Sequence, residues 1–244
     1  MNKTVKYLLF ALSVALFAAV TMLVLVQAHG RRHLTTCNSV EISFRDTLAF
    51  VGEDDIRAIL AKDIPAITGT RIDSIRLDLI EKKLNSQSMI LESQAWAGDD
   101  GVLHISIRER MPVAKMVSHG NSFYIDAGGC VFPVQGACKM EVPVFEGELP
   151  LHDPAWFPSV LGLLDYMKRH RREGSISCFE VQRDGNLMMH PREGKEIIIF
   201  GKPEKAASKF ARIDEYYRKI KPAKEEGYYS TVNVKYEGQI VCRK

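Results

Sequence analysis

Residues 100–112 of the chain, DGVLHISIRERMP, decide how its first folded part is organised. Asp100 and Gly101 are turn residues that tolerate a positive φ, and apolar and polar side chains alternate over residues 102–108 after them. Such an alternation predicts a strand with one buried and one solvated face. Pro112 then interrupts the pattern, because proline has no backbone N–H to give to a sheet. The stretch therefore predicts the last strand of one domain and the start of another.

The sequence on the amino-terminal side of this stretch completes a small domain. The apolar run at 40–44 predicts a first strand, and residues 89–97 predict the strand that pairs across the turn. Between them, three consecutive acids begin one amphipathic helix, and Asp73 or Ser74 can cap a second. The order β-α-α-β-β predicts a three-stranded sheet covered by two helices over residues 38–110.

The carboxyl-terminal part, residues 111–244, has a different pattern. Short apolar runs alternate with turn pairs such as Gly120-Asn121 and Glu237-Gly238, which is typical of an antiparallel meander. Two amphipathic patterns predict helices near 157–170 and over 204–220, and the apolar stripe of the second should pack on the sheet. We expect an α+β chain that ends in a mostly antiparallel β domain with two helices.

An uncharged run of 20 residues, 7–26, precedes both domains. At about 1.5 Å per residue, a helix of this length spans the roughly 30 Å hydrocarbon core of a bilayer. The run is longer than the apolar part of a secretory signal peptide, although small residues near Ala28 leave cleavage as an alternative. We expect residues 1–6 to be a cytoplasmic tail, 7–26 a single transmembrane helix and 27–37 a juxtamembrane linker, with both domains outside the cytoplasmic membrane.

Composition and motifs argue against several function classes. The 33 Lys and Arg residues nearly balance the 30 Asp and Glu residues, which is a poor match to a nucleic-acid binder. No nucleophile, zinc or phosphate-binding motif occurs in the sequence. We therefore assign no catalytic, metal or cofactor residue and do not expect an enzyme. The five cysteines leave open either a Cys130–Cys138 bridge or buried free thiols.

A set of short segments carries a recognisable family pattern when they are taken in order. They are DGVLHI at 100–105, ERMPVA at 109–114, FYID at 123–126, VFP at 131–133, VPV at 142–144 and STVNVKY at 230–236. Together with the single apolar span and the β-α-α-β-β order, they resemble the FtsQ/DivIB bacterial cell-division proteins over nearly the whole chain.

The resemblance implies a POTRA domain over 38–110 and an FtsQ-type β domain over 111–244. It also implies a non-catalytic divisome scaffold in the inner membrane at the division septum, with the small partners FtsB and FtsL and a role in controlling septal peptidoglycan synthesis. No cofactor, nucleic acid or small-molecule substrate is implied. The tail of about six residues is shorter than in many relatives, which puts in doubt any contact made by that tail.

The resemblance places the partner site on the last two strands, with Tyr236 matching the family's tyrosine before the final turn. A chain that ends on a strand tends to leave that strand at a sheet edge, where an extended partner segment can pair with its backbone. The contact residues expected there are Val234, Tyr236, Gly238, Ile240 and Cys242. A register slip of one residue replaces the last two by Gln239, Val241 and Arg243, and in a third interpretation the apolar face of the hairpin only closes the core.

The charged pair Glu109-Arg110 just before Pro112 allows two interpretations. These residues clamp the two domains at their junction, or the pair is a solvated strand end. Two rival functions also stay open. A periplasmic POTRA chaperone would normally carry several POTRA units, and an anchored envelope hydrolase needs a nucleophile with a base or a metal site.

Overall fold

The protein folds as two compact units, Met1–Glu109 and Arg110–Lys244, in the computed structural model. The structure describes residues 3–32, 35–46, 50–64, 66–98, 100–134 and 140–244, without the side chains of 3–9, 11, 27–32 and 63. Cys138, one half of the possible bridge, lies outside the described residues, and Cys130 carries a free thiol.

A long helix, α1 (Lys3–Arg32), precedes the first domain. Its large described apolar side chains are exposed, among them Phe10, Leu16 and Leu25. Over the described residues, none of the helices combines the length and the hydrophobicity that crossing a bilayer requires. The transmembrane helix expected at 7–26 is therefore not confirmed and stays a prediction.

The first unit then builds a small sheet with two helices. Its elements are β1 (Ser39–Phe44), α2 (Glu53–Asp63), α3 (Leu77–Asn85), β2 (Ile90–Ala97) and β3 (Val102–Glu109). The sheet order is β1-β3-β2, with β1 parallel and β2 antiparallel to the central β3. The β-α-α-β-β order expected from the sequence is confirmed.

Apolar side chains from both helices and from the central strand form the core of this unit. Ile56 of α2 and Ile80 and Leu84 of α3 are fully buried, and so are Leu103 and Ile105 of β3. The alternation along β3 turns these two side chains to one face of the sheet and leaves the intervening polar side chains on the other. Burial of this apolar face, more than helix propensity, holds the short helices in place.

The second helix does not begin where the sequence suggested. Asp73 and Ser74 lie in a 3-10 turn, Ile72–Ser74, and α3 begins only at Leu77. Arg71 Nη2 donates to Asp73 at 2.8 Å, and the Ser74 N–H donates to the Arg71 carbonyl at 3.0 Å. The residue that precedes α3 is Arg76, so the expected cap at Asp73 or Ser74 is wrong.

Glu109, the last residue of β3, is 2% exposed and accepts two backbone hydrogen bonds. Its Oε1 atom accepts from the Phe50 N–H at 2.8 Å and from the Val51 N–H at 2.9 Å. Both donors are themselves buried. The carboxylate therefore ties the segment before α2 to the end of the central strand, and it replaces water for two N–H groups that burial would otherwise leave without a partner.

The second unit contains nine strands and two regular helices among its described residues. They are β4 (Pro112–Ser118), β5 (Asn121–Asp126), β6 (Val131–Pro133), β7 (Val144–Gly147), α4 (Trp156–Arg169), β8 (Ile176–Val181), β9 (Leu187–Pro191), β10 (Ile197–Gly201), α5 (Ala206–Glu215), β11 (Thr231–Asn233) and β12 (Val241–Arg243). The pattern predicted at 204–220 is regular helix only as far as Glu215, and it continues as a π-helical turn, Tyr216–Ile220.

These strands form one sheet in the order β12-β11-β10-β9-β8-β7-β4-β5-β6. Of the neighbouring pairs in it, five are antiparallel and three, β4–β7, β7–β8 and β10–β11, are parallel. The sheet is mostly antiparallel, but the simple meander is wrong. Parallel neighbours need a long crossover, and α4 and α5 supply one each, between β7 and β8 and between β10 and β11.

Aromatic side chains join the sheet and the helices of the second unit. The rings of Phe145 on β7 and Phe179 on β8 stack with centroids 4.4 Å apart. Phe210 of α5 lies 5.5 Å from Phe200 of β10, so the apolar stripe of that helix packs on the sheet as expected. Trp156 at the start of α4 is 2% exposed, and its Nε1 donates to the Gly185 carbonyl at 3.0 Å.

Replacing Glu109 by Ala should destabilise the first unit by roughly 2 kcal/mol, because two buried N–H groups lose their acceptor. Glu109→Gln keeps an acceptor oxygen and should lose less. The amide hydrogen exchange of Phe50 and Val51, measured by NMR beside urea unfolding of the full chain, reports both effects. Unchanged exchange at these two amides in Glu109→Ala would contradict the proposed tie.

Candidate functional site

The last strand lies at one edge of the large sheet. β12 pairs with β11 on one side, and no described strand lies on its other side. A sheet edge of this kind presents a row of backbone N–H and C=O groups that a further strand can pair with. We therefore treat β12 and the loop before it as the candidate site.

The hydrogen bonds of β11 to β10 show which way its backbone groups point. The Ile197 N–H donates to the Ser230 carbonyl at 2.9 Å, and the Val234 N–H donates to the Ile199 carbonyl at 3.0 Å. Along a strand, the N–H and C=O of successive residues point alternately to the two neighbouring strands. Within β11 the backbone groups of Val232 therefore face β10, and those of Thr231 and Asn233 face β12. Just before the strand, the Ser230 N–H already donates to the Arg243 carbonyl of β12 at 2.8 Å.

The pairing register carries this alternation into β12. Thr231 lies opposite Arg243, and Asn233 lies opposite Val241. The backbone groups of Arg243 and Val241 are therefore directed at β11. By the same alternation, the N–H and C=O of Cys242 between them point away from β11, to the open side of the sheet. The backbone N–H and C=O of Cys242 therefore lie at the centre of the free edge.

The side chains of the hairpin divide between the core and solvent. Val234 is fully buried in the core, and Ile240 and Cys242 pack against it. Val241 is 39% exposed and Arg243 is exposed. The side chains of Val234, Ile240 and Cys242 lie on the inner face of the hairpin, whereas those of the alternative register, Gln239, Val241 and Arg243, are exposed. Partner contact at either set stays a prediction.

The connection between the two strands is longer than the expected two-residue turn. β11 ends at Asn233, whose Oδ1 accepts from the Lys235 N–H at 2.9 Å and turns the backbone away from the ladder. Tyr236 is 55% exposed in this loop, and Gly238 adopts a φ of 70°, where a side chain would be strained. Residues 234–240 thus form a loop that holds Tyr236 outward.

Arg212 of α5 clamps the start of this loop, and the sequence did not point to it. Its Nη2 donates to the Val234 carbonyl at 2.8 Å and its Nε to the same oxygen at 3.3 Å. The helical pattern marks Arg212 only as part of the polar circumference of the helix, which carries no signal of this contact. The clamp satisfies the first carbonyl of the loop and fixes where the loop leaves the sheet.

The region beside the loop is rich in cations. Lys209 is 5% exposed, and its Nζ donates to the Lys202 carbonyl at 2.6 Å. Burial lowers the pKa of Lys209 to about 8, because the charged ammonium is poorly solvated there. Lys205 and Glu237 form an exposed ion pair at 3.3 Å between the α5 side and the loop.

The site contains one thiol, that of Cys242. Burial raises the pKa of the Cys242 thiol, which keeps it protonated and unreactive at neutral pH. In the part of the chain that the structure describes, no cluster of His, Cys, Asp and Glu side chains could hold a metal ion.

The residues expected at the domain junction have partners on their own sides of it. Glu109 binds the backbone of the first unit, as described above. Arg110 Nη1 donates to Asp126 Oδ2 at 2.5 Å, a pair in which both side chains are mostly buried. Pro112 is the first residue of β4, a position that needs no N–H from it. A clamp between the domains stays a prediction.

Comparison with known protein families assigns both domains. Residues 111–243 match the family model described as FtsQ/DivIB, C-terminal related. Residues 35–108 match the model of a POTRA-like domain. No curated protein matches the chain.

Truncating Val234 and Val241 in turn tests which of the two side chains belongs to the core. Val234→Ala should cost roughly 2 kcal/mol of unfolding free energy, because it leaves a cavity in the core. Val241→Ala should change it by less than about 0.5 kcal/mol, because the side chain is solvated. Denaturant unfolding followed through Trp156 fluorescence, in a Trp96→Phe background, measures both. A larger loss for Val241→Ala than for Val234→Ala would reverse the assignment.

Proposed function

The chain belongs to the FtsQ/DivIB family, and from that premise we propose that it is a divisome scaffold that captures FtsB, together with FtsL, by strand addition along β12. The captured segment extends the nine-stranded sheet by one strand. Through this contact the protein helps to control septal peptidoglycan synthesis and performs no catalysis itself.

The observation that carries this proposal is the open edge of β12. The N–H and C=O of Cys242 point out of the sheet, and an extended segment can accept from and donate to them as a neighbouring strand does. Main-chain bonds of this kind supply affinity with little dependence on the partner's side chains. A partner strand would therefore bind first through its backbone, with its centre opposite Cys242.

Exposed side chains beside the edge supply selectivity. Val241 and Arg243 face outward from β12, and Tyr236 projects from the loop before it. Aromatic and arginine side chains are enriched among the residues that dominate protein interfaces. Arg212 supports this contact indirectly, because its hydrogen bonds to the Val234 carbonyl hold the loop that carries Tyr236.

A membrane anchor is part of the proposal. It is supported by the uncharged run at 7–26 and by the helical conformation of α1 over 30 residues. We place residues 1–6 in the cytoplasm and both folded domains on the periplasmic side of the inner membrane. In this arrangement the β12 edge meets partners that are themselves anchored beside it.

Removing one outward N–H tests strand addition directly. Cys242→Pro deletes the N–H that faces the open side and leaves those of Val241 and Arg243 for β11. Cys242→Val loses the same thiol but keeps the N–H, so it is the matched control. We expect Cys242→Pro to weaken FtsB capture by about tenfold or more, and Cys242→Val by much less. Circular dichroism should first show that both variants are folded. If the two variants then capture equal amounts of FtsB in a pull-down, strand addition at β12 is wrong.

Localisation tests the divisome role independently of the edge. A fluorescent fusion to the full chain should form a mid-cell band before constriction, and a fusion lacking residues 1–26 should lose its envelope signal. A uniform envelope signal from the full chain would favour a general periplasmic chaperone or an envelope hydrolase over a division scaffold.

A further inference from the structure

One exposed tryptophan stands at the edge of the POTRA sheet. Trp96, on the edge strand β2, is 48% exposed, whereas the second tryptophan of the chain, Trp156, is buried. Trp96 lies directly opposite His104 of β3, which lies opposite Glu41 of β1. These three side chains form a row across the whole sheet, on the face opposite to α2 and α3.

Within this row the indole ring stacks on the ring of His104. The Trp96 and His104 rings stack with centroids 5.3 Å apart and an interplanar angle of 15°. His104 Nδ1 in turn lies 3.0 Å from Glu41 Oε2. One face of the indole is therefore covered by the imidazole, which is itself oriented by a carboxylate. No described strand lies beyond β2, so the other face of the indole is directed to the open edge of the sheet.

The surroundings of the indole are polar and hydrogen-bonded into a network. Arg45 Nη2 donates to Gln94 Oε1 at 2.5 Å, and Gln94 Nε2 donates to Glu92 Oε1 at 3.1 Å. Gln94 lies two residues from Trp96 on the same strand and faces the same side of the sheet. The carboxylates of Glu41 and Glu92 are balanced by Arg45 and Arg108, so the face carries no net formal charge.

We propose that this face binds a β-linked hexopyranose unit of a glycan, with the free indole face as its stacking platform. A pyranose ring with equatorial hydroxyls has an apolar face of axial C–H groups, which suits the electron-rich face of an indole. Its hydroxyl groups both donate and accept, and the amide, carboxylate and guanidinium groups beside Trp96 keep donor and acceptor capacity for them.

The polar groups and the lack of net charge on this face suit an uncharged ligand with several hydroxyl groups. The polar side chains of this face that are joined by hydrogen bonds are Glu92 and Gln94 of β2 and Arg45, and Val102 of β3 is a half-buried apolar member of the same face. Trp96 contacts the ligand, and His104 and Glu41 are positioning residues that act through it. The inference concerns the POTRA domain and does not rest on partner capture at β12.

The two indole N–H resonances of the chain make the test internally controlled. We would titrate the full chain, in a detergent without a sugar headgroup, with the β-1,4-linked tetramer of N-acetylglucosamine. The Trp96 indole resonance should shift until it saturates, and the resonance of buried Trp156 should stay still. Saturation transfer from protein to sugar should be strongest at the axial C–H protons, because these lie on the indole.

Variants separate stacking from simple structural support. Trp96→Ala should weaken binding by about tenfold or more, and Trp96→Phe, which keeps an aromatic face, by less. His104→Ala should weaken it severalfold through loss of orientation, while Leu91→Ala, at another exposed apolar residue of β2, should leave it unchanged.

Three results would overturn the proposal. They are a Trp96 resonance that does not move at the highest soluble concentration of tetramer, saturation transfer that persists in Trp96→Ala, and loss of FtsB or FtsL capture in Trp96→Ala without any response to sugar. The last would assign the face to a protein partner. Failure of strand addition at β12 would leave the sugar titration unaffected, so the two proposals fail separately.

Discussion

The parallel pairing of β11 with β10 is the constraint from which the candidate site follows. That pairing directs the backbone groups of alternate residues in β11 to β10 and leaves the others for β12. The outward direction of the Cys242 backbone is a consequence of it, and so is the burial of Val232 and Val234 in the core. A one-residue shift at β10 would exchange the inner and outer faces of the hairpin and move the free backbone groups to other residues.

The side chain and the backbone of Cys242 face different surroundings. Cys242 packs its side chain against the core and offers its backbone to the open side. Strand addition suits such a residue, because the partner reads N–H and C=O groups and leaves the side chain in place. In the proposed function, selectivity falls to the exposed side chains of Val241, Arg243 and Tyr236. Arg212, far away in the sequence, fixes the loop from which Tyr236 projects.

The junction between the domains shows how a charged pair in the sequence can serve two structures. Glu109 satisfies two buried N–H groups of the first unit, and Arg110 pairs with Asp126 in the second. Adjacent residues of opposite charge suggested one shared role in the sequence. These hydrogen-bonding partners lie on opposite sides of the boundary, because the side chains of successive residues in an extended chain point in opposite directions.

The sequence by itself determined the β-α-α-β-β order and the approximate position of α4 and α5, because periodicity and turn residues are local properties. The two family domains came from the resemblance of ordered short segments to a known family. The sequence also singled out the last two strands. It did not determine that β7 pairs with β4 and β8 in parallel, that Asp73 and Ser74 form a turn rather than a cap, or that Val234 is core while Val241 faces solvent. Tertiary structure decided these points, since strand order and hairpin register depend on neighbours distant in the chain, and a slip of one residue exchanges every inward and outward side chain.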